Sequence, residues 1–172
     1  MKTRIHLRLA GFILMAAAGI LALPSCSDDI RPDLRDEITG TYQYRIQIFD
    51  LVDDELIYLG DRPGLYDVTG TMLVRKNLTY SDMLDFFDGN ILMFQGEKVR
   101  EAGNAIVFDI PVQEGWVGPL PIQVAGYDYW QVNSKDYHGA YLYRDETVEI
   151  GFSAYVMDVN SGLVMVLTAR RN

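Results

Sequence analysis

Thr147-Val148-Glu149-Ile150-Gly151-Phe152-Ser153-Ala154-Tyr155-Val156 is the stretch that decides the fold. Val148, Ile150, Phe152, Ala154 and Val156 are apolar, and Thr147, Glu149, Gly151, Ser153 and Tyr155 alternate with them. A period of two is the mark of a strand that buries one face. Asn160-Ser161-Gly162 is turn chemistry, and Leu163 to Ala169 then runs largely apolar, so the chain closes on a long hairpin.

The same period recurs upstream. Tyr42, Tyr44, Ile46 and Ile48 alternate with Thr41, Gln43, Arg45 and Gln47, and Tyr66, Val68, Gly70, Met72 and Val74 alternate with Asp67, Thr69, Thr71, Leu73 and Arg75. Asp53-Asp54 reads as a turn before a short strand at Glu55 to Leu59, and Gly60 to Gly64 as a breaker. Tyr80 to Phe87 suits either a strand or a short helical turn, since Met83, Leu84, Phe86 and Phe87 also fit one helical face. Asp88-Gly89 is a favoured hairpin dipeptide before Ile91 to Phe94, and Glu101 to Asn104 is a further turn before Ile106, Phe108, Ile110 and Val112. Gly115 to Pro121 reads as a loop from its glycines and prolines, with an extended pattern resuming from Ile122 to Val132. Strands at short, regular intervals with almost no helix predict an all-β fold. Tight turns make it antiparallel, and we expect an up-and-down β-barrel of about eight to ten strands, because closure removes exposed edges.

The barrel domain is read as residues 40–172, and what precedes it is an address. Lys2, Arg4 and Arg8 lead into the uninterrupted apolar run Leu9 to Leu23, which ends at Pro24. That is a secretory leader, shorter than the roughly 20 apolar residues a spanning helix needs. Leu23-Pro24-Ser25-Cys26 resembles a lipobox, the signal at which a peptidase cuts before a cysteine that is then acylated. Residues 1–25 are therefore read as a lipoprotein signal peptide and Cys26, the only cysteine, as the lipidation site. More than one acyl chain at Cys26 would hold the protein on a membrane without a spanning segment. Ser27, Asp28 and Asp29 resemble the acidic export signal of surface lipoproteins in Bacteroidota, which implies an outer-membrane protein exposed on the cell surface. Residues 26–39 are read as an acidic flexible tether in which Arg31, Asp33, Arg35 and Asp36 are solvated charges.

Removing the three leader cations from the 15 Lys and Arg leaves 12 against 24 acidic residues, a balance of −12 after the leader. Such a field repels phosphate backbones, so no nucleic-acid partner is expected. Beyond the leader the chain has one histidine, His138, and the one cysteine is assigned to lipid. Cys–His nucleophiles and zinc sets therefore have little to draw on, and neither a Gly-x-Ser-x-Gly elbow nor a phosphate loop is present. Asp128, Asp136 and Glu149 cannot be assigned as paired catalytic carboxylates without the fold. Asp158 to Gly162 lacks the remaining ligands of a calcium loop and reads as a hairpin turn. We expect a non-enzymatic protein with no cofactor and no metal.

Gly40-Thr41-Tyr42 just after the tether, a train of strands, and the basic tail Arg170-Arg171 together resemble the calycin-like or lipocalin-like β-barrel domains of Bacteroidota lipoproteins. The resemblance implies the barrel and, loosely, ligand or glycan binding; Tyr42 stands where a lipocalin has tryptophan. The residues themselves add an aromatic cluster, Tyr127, Tyr129, Trp130, Tyr137 and Tyr141, with Tyr143 and His138 beside it and Trp116 in the preceding loop. Aromatic rings suit stacking on sugars or anchoring a protein, and they equally suit strand packing. Trp116 and Trp130 flank turn-like sequence and lead the ligand-binding candidates. Two readings follow: a surface module binding a glycan or small apolar molecule, and an accessory lipoprotein acting through protein contacts.

Overall fold

In a computed structural model of the chain, the described residues are 32–60, 66–156 and 162–172. The segment read as a leader, Cys26, the residues read as an export signal (Ser27, Asp28 and Asp29), Arg31, residues 61–64 of the breaker read at Gly60 to Gly64, and the turn read at residues 157–161 lie outside them. The barrel unit begins at Asp33, earlier than the sequence pattern places it. A one-turn helix, α1 (Leu34–Ile38), precedes strand β1 (Gly40–Val52). Leu34 and Ile38 fall four residues apart on one helical face, and that face packs on the barrel core. Asp33 caps the helix by accepting from the Arg35 backbone N–H. Asp33 and Arg35, read from sequence as solvated tether charges, are thus committed to the fold, while the Asp36 side chain stays largely exposed beside Lys76.

The remaining strands are β2 (Glu55–Tyr58), β3 (Val68–Lys76), β4 (Leu84–Asp88), β5 (Ile91–Ala102), β6 (Ala105–Asp109), β7 (Gln113–Val117), β8 (Leu120–Gly126), β9 (Trp130–Val132), β10 (Lys135–Tyr137), β11 (Gly139–Leu142), β12 (Thr147–Val156) and β13 (Gly162–Arg171). Eight of them form a closed antiparallel ring in the order β1, β3, β4, β5, β6, β11, β12, β13, with β13 back on β1. The ambiguous Tyr80–Phe87 segment resolves as a turn and β4. Gly115 to Pro121 is not a loop but the turn end of the β7–β8 hairpin, with the chain reversing at Gly118, φ +56°. Gly115 belongs in β7 because a Cβ there would lie 2.1 Å from the Met93 carbonyl oxygen; its glycine serves a close backbone approach.

Two ring positions are shared by broken strands. β6 and β7 form one position interrupted at Pro111, which has no N–H to give a ladder. β8 and β11 form the next, interrupted by residues 127–138. β12 accordingly pairs with β11 through Gly139–Leu142 and with β8 through Ile122–Gly126. Where β5 passes β7, the Gln113 side chain stands in for a ladder rung: the Gln95 N–H donates to its Oε1 at 2.7 Å, and its Nε2 donates to the Gln95 carbonyl at 2.8 Å. The excursion folds into the β9–β10 ribbon, turning at Asn133 and Ser134, both with positive φ.

The core fills the barrel axis. Tyr42, Ile46, Met72, Phe86, Phe94, Phe108, Ile150, Phe152 and Leu167 have no exposed surface. Phe86 meets Phe94 and Phe108 at centroid distances of 5.2 and 5.5 Å, and Phe94 meets Phe152 at 5.3 Å. α1 closes one end. The Tyr42 hydroxyl donates to the Ile38 carbonyl at 2.5 Å, and Arg171 donates to the Tyr42 hydroxyl at 2.9 Å and to the Glu37 carbonyl.

Candidate functional site

The aromatic residues singled out in the sequence are not brought together in a single cluster; they divide between the barrel core, a small core outside the wall, and the outer face of β7. Tyr141 is 3% exposed and belongs to the barrel core, where the Arg171 guanidinium lies 5.6 Å from its ring centre. Tyr137 and Trp130 belong to a second, smaller core outside the barrel wall, built by the β9–β10 ribbon over Ala105, Val107 and Ala140. Arg100 covers the Tyr137 ring at 4.8 Å. The Trp130 Nε1 is buried and has no hydrogen-bond partner, and Tyr129 meets the Trp130 ring edge-on at 6.4 Å. Tyr127 and Tyr129 cross β12 at Gly151, where a Cβ would lie 2.4 Å from the Tyr129 Cβ. These residues chiefly hold the ribbon to the barrel, with the half-exposed Tyr129 ring at its rim.

His138 sits at the point where β11 takes over from β8. The Ile110 N–H donates to its Nδ1 at 2.9 Å, the Gly126 N–H donates to the Ile110 carbonyl at 3.1 Å, and the Gly151 N–H donates to the His138 carbonyl at 2.8 Å. A Cβ on Gly126 would lie 2.1 Å from the His138 Nδ1, so the glycine admits the ring. The imidazole thereby completes the ladder across the break. Its Nε2 faces Asp128 at 3.4 Å. Asp136 is engaged by Gln131 across the ribbon at 2.9 Å. Glu149 is half-buried on the outer face of β12, and burial raises its carboxyl above the ordinary value. Tyr44 donates to Asp88 at 3.0 Å, and burial, followed by that carboxylate, pushes its phenol up.

Trp116 stands apart from this structural set. It lies on the outer face of β7, is 41% exposed, and lines an open groove of about 540 Å³ with Ile91, Leu92 and Glu114. Strand alternation turns Glu114 to the same side, while Gly115 and Val117 point inward. Across the hairpin Glu114 faces Gln123 and Trp116 faces Pro121, and Gln123 in turn faces Tyr155 on β12. All five are exposed, Tyr155 at 49%. Sequence reasoning reached only Trp116, because reading Gly115 to Pro121 as a loop hid the register that aligns Glu114, Gln123 and Tyr155. The outward position of Tyr155 was legible in the alternation of β12; its neighbours were not.

A second groove, about 460 Å³, runs beside α1 along β3 and β4 and is lined in part by Arg75, Lys76, Leu78 and Phe87. Arg75 lies 5.5 Å from the centre of the Phe87 ring, and Lys76 pairs with Asp33 and Asp36. Among the described residues, no group of three His, Cys, Asp or Glu side chains is placed to hold a metal ion. No family model matches the chain, and no curated protein matches it. The observations that carry identity are therefore those of the molecule itself: a closed eight-stranded antiparallel barrel, of the general lipocalin-like form, with exposed aromatic chemistry on its outer wall.

Proposed function

We propose that the protein is a non-catalytic binding module, held by acyl chains on Cys26 at the outer membrane, displayed outward, and engaging its ligand on the outer wall of the barrel. The observation that carries the binding site is the contrast between wall and axis. The inward-facing phenylalanines Phe86, Phe94, Phe108 and Phe152 occupy the axis in mutual contact, whereas Trp116 is held half-exposed in an open groove beside a carboxylate. A packed axis weighs against a small apolar guest in the lumen, and a wall groove favours a glycan. Titrating the full chain in detergent with neutral glycans and with fatty acids, while following tryptophan fluorescence, tests it: a saturable response to glycan is expected, and silence toward both classes would sink the module.

The address rests on the leader, on Cys26 and on Ser27-Asp28-Asp29. Cys26→Ala is expected to release the protein from membranes, and replacing Asp28 and Asp29 to leave it anchored but shielded from external protease. Cleavage on whole cells after the second change would overturn the surface reading. One observation favours the accessory alternative. The β1–β2 hairpin exposes Leu51, Val52 and Ile57, each 42–44%, among Asp50, Asp53, Asp54 and Glu55, a combination suited to a basic, partly apolar protein partner.

A further inference from the structure

We infer that the outer face of β7, β8 and β12 is an oligosaccharide site, with Trp116 and Tyr155 as stacking platforms and Glu114 and Gln123 as acceptor and donor for hydroxyl groups. The inference rests on the binding-module reading and supplies its place and ligand class. Register aligns Glu114, Gln123 and Tyr155 in one row across three strands, and Trp116 with Pro121 in the adjoining row. Their inward-facing neighbours, including Gly115, Ile122, Val124 and Ala154, are buried in the core, so the platform beneath the row is rigid. Strands lie about 4.8 Å apart and rise about 3.4 Å per residue, so Trp116 and Tyr155, two strands apart and one row offset, are separated by about 12 Å along the wall. Two rings at that spacing fit an extended chain of sugars better than one small molecule, and the groove beyond Trp116 leaves room for the chain to continue toward Ile91 and Leu92.

The chemistry between the rings selects the occupant. Glu114 and Gln123 lie side by side in the row that Tyr155 completes, with Trp116 adjoining. A purely apolar ligand or a hydrophobic protein surface would strip both of water and return no hydrogen bonds. A phosphate or uronate chain would meet Glu114 within a field of −12 after the leader. A neutral polyhydroxyl chain meets neither obstacle: its C–H faces stack on the rings and its hydroxyls pair with the carboxylate and amide. Charge complementarity thus points to a neutral glycan.

The test is retardation of the full chain, purified in detergent, on native gels containing galactomannan, mixed-linkage β-glucan or starch, with polygalacturonate as the acidic control. Retardation by at least one neutral polysaccharide and none by polygalacturonate is expected. Trp116→Ala and Tyr155→Ala should each weaken the apparent affinity about tenfold, measured well below the thermal midpoint, which truncating either half-buried side chain lowers slightly. Trp116→Phe should keep the retardation and abolish the fluorescence response, leaving only Trp130, the other tryptophan, to report. Retardation that both alanine variants retain in full would overturn this site while sparing the module. A response to fatty acid without retardation by polysaccharide would do the same. No response to any of these ligands would remove both.

Discussion

His138 shows what a single residue does where a strand changes partners. Ile110 is 2% exposed, and its N–H has the His138 Nδ1 as its acceptor. His138→Ala removes that acceptor and the ring that covers Gly126, and should cost about 1–3 kcal/mol for the stranded N–H alone. Asn at this position carries Oδ1 where Nδ1 stands, so His138→Asn should lose clearly less. Denaturant titration gives the first comparison, and amide exchange at Ile110 localises it; equal losses in the two variants would show that packing rather than the hydrogen bond matters. Glu149 works in the opposite sense. Burial raises its folded-state value above 4.5, so the folded state binds a proton more readily than the unfolded chain, and the penalty grows as pH rises through that raised value. Glu149→Gln should therefore raise the thermal midpoint at pH 7, and the gain should vanish below about pH 4. From sequence, Glu149 was legible as an outward-facing strand residue and His138 only as the lone histidine, because which groups face them is fixed by the Tyr127–Tyr137 excursion folding across β11 and β12.

Among the elements, α1 was the one the sequence pattern concealed. Five residues are too few to show a helical period, and the mixed charges of Asp33, Arg35 and Asp36 look like any tether. Tertiary contacts decide otherwise: Arg35 donates to the Asp33 carboxylate and to the Tyr80 carbonyl at 3.0 Å, and Ile38 is fully buried. The hydrogen bond from Arg35, joined by Lys76, holds the Asp33 carboxyl well below its ordinary 3.8. A depressed carboxyl contributes stability that is complete above the unfolded-state value and is lost as pH falls toward the folded-state one. Arg35→Ala should cost about 1–2 kcal/mol at neutral pH, and its difference from the natural chain should shrink as pH drops below 3.8. Denaturation curves at pH 7 and pH 3 measure both; a gap that persists undiminished at pH 3 would separate Arg35 from Asp33. The β7–β8 hairpin was misread for the complementary reason. Glycine and proline usually punctuate, yet here Gly115 makes room for the Met93 carbonyl within a strand.

At the scale of the molecule, the eight ring positions join only because β13 returns to β1 through eight residue pairs, Tyr42 to Arg171 at one end and Phe49 to Val164 at the other. Closure turns every inner face toward one axis, where Phe94 lies against both Phe86 and Phe152. Phe94→Ala should cost about 3–5 kcal/mol, since the ring around it can collapse only in part. A loss below about 1 kcal/mol on denaturant unfolding would mean that the axis repacks freely. The sequence by itself determined the all-β class, antiparallel order and the start of β1 at Gly40, since alternation and turn residues are local properties of the chain. The barrel's closure, expected from the strand spacing, is borne out, whereas the sharing of one position by β8 and β11, the capping helix, and the alignment of Glu114, Gln123 and Tyr155 were decided by tertiary structure alone. Each depends on register between segments distant in sequence, and register is set by which faces are buried together.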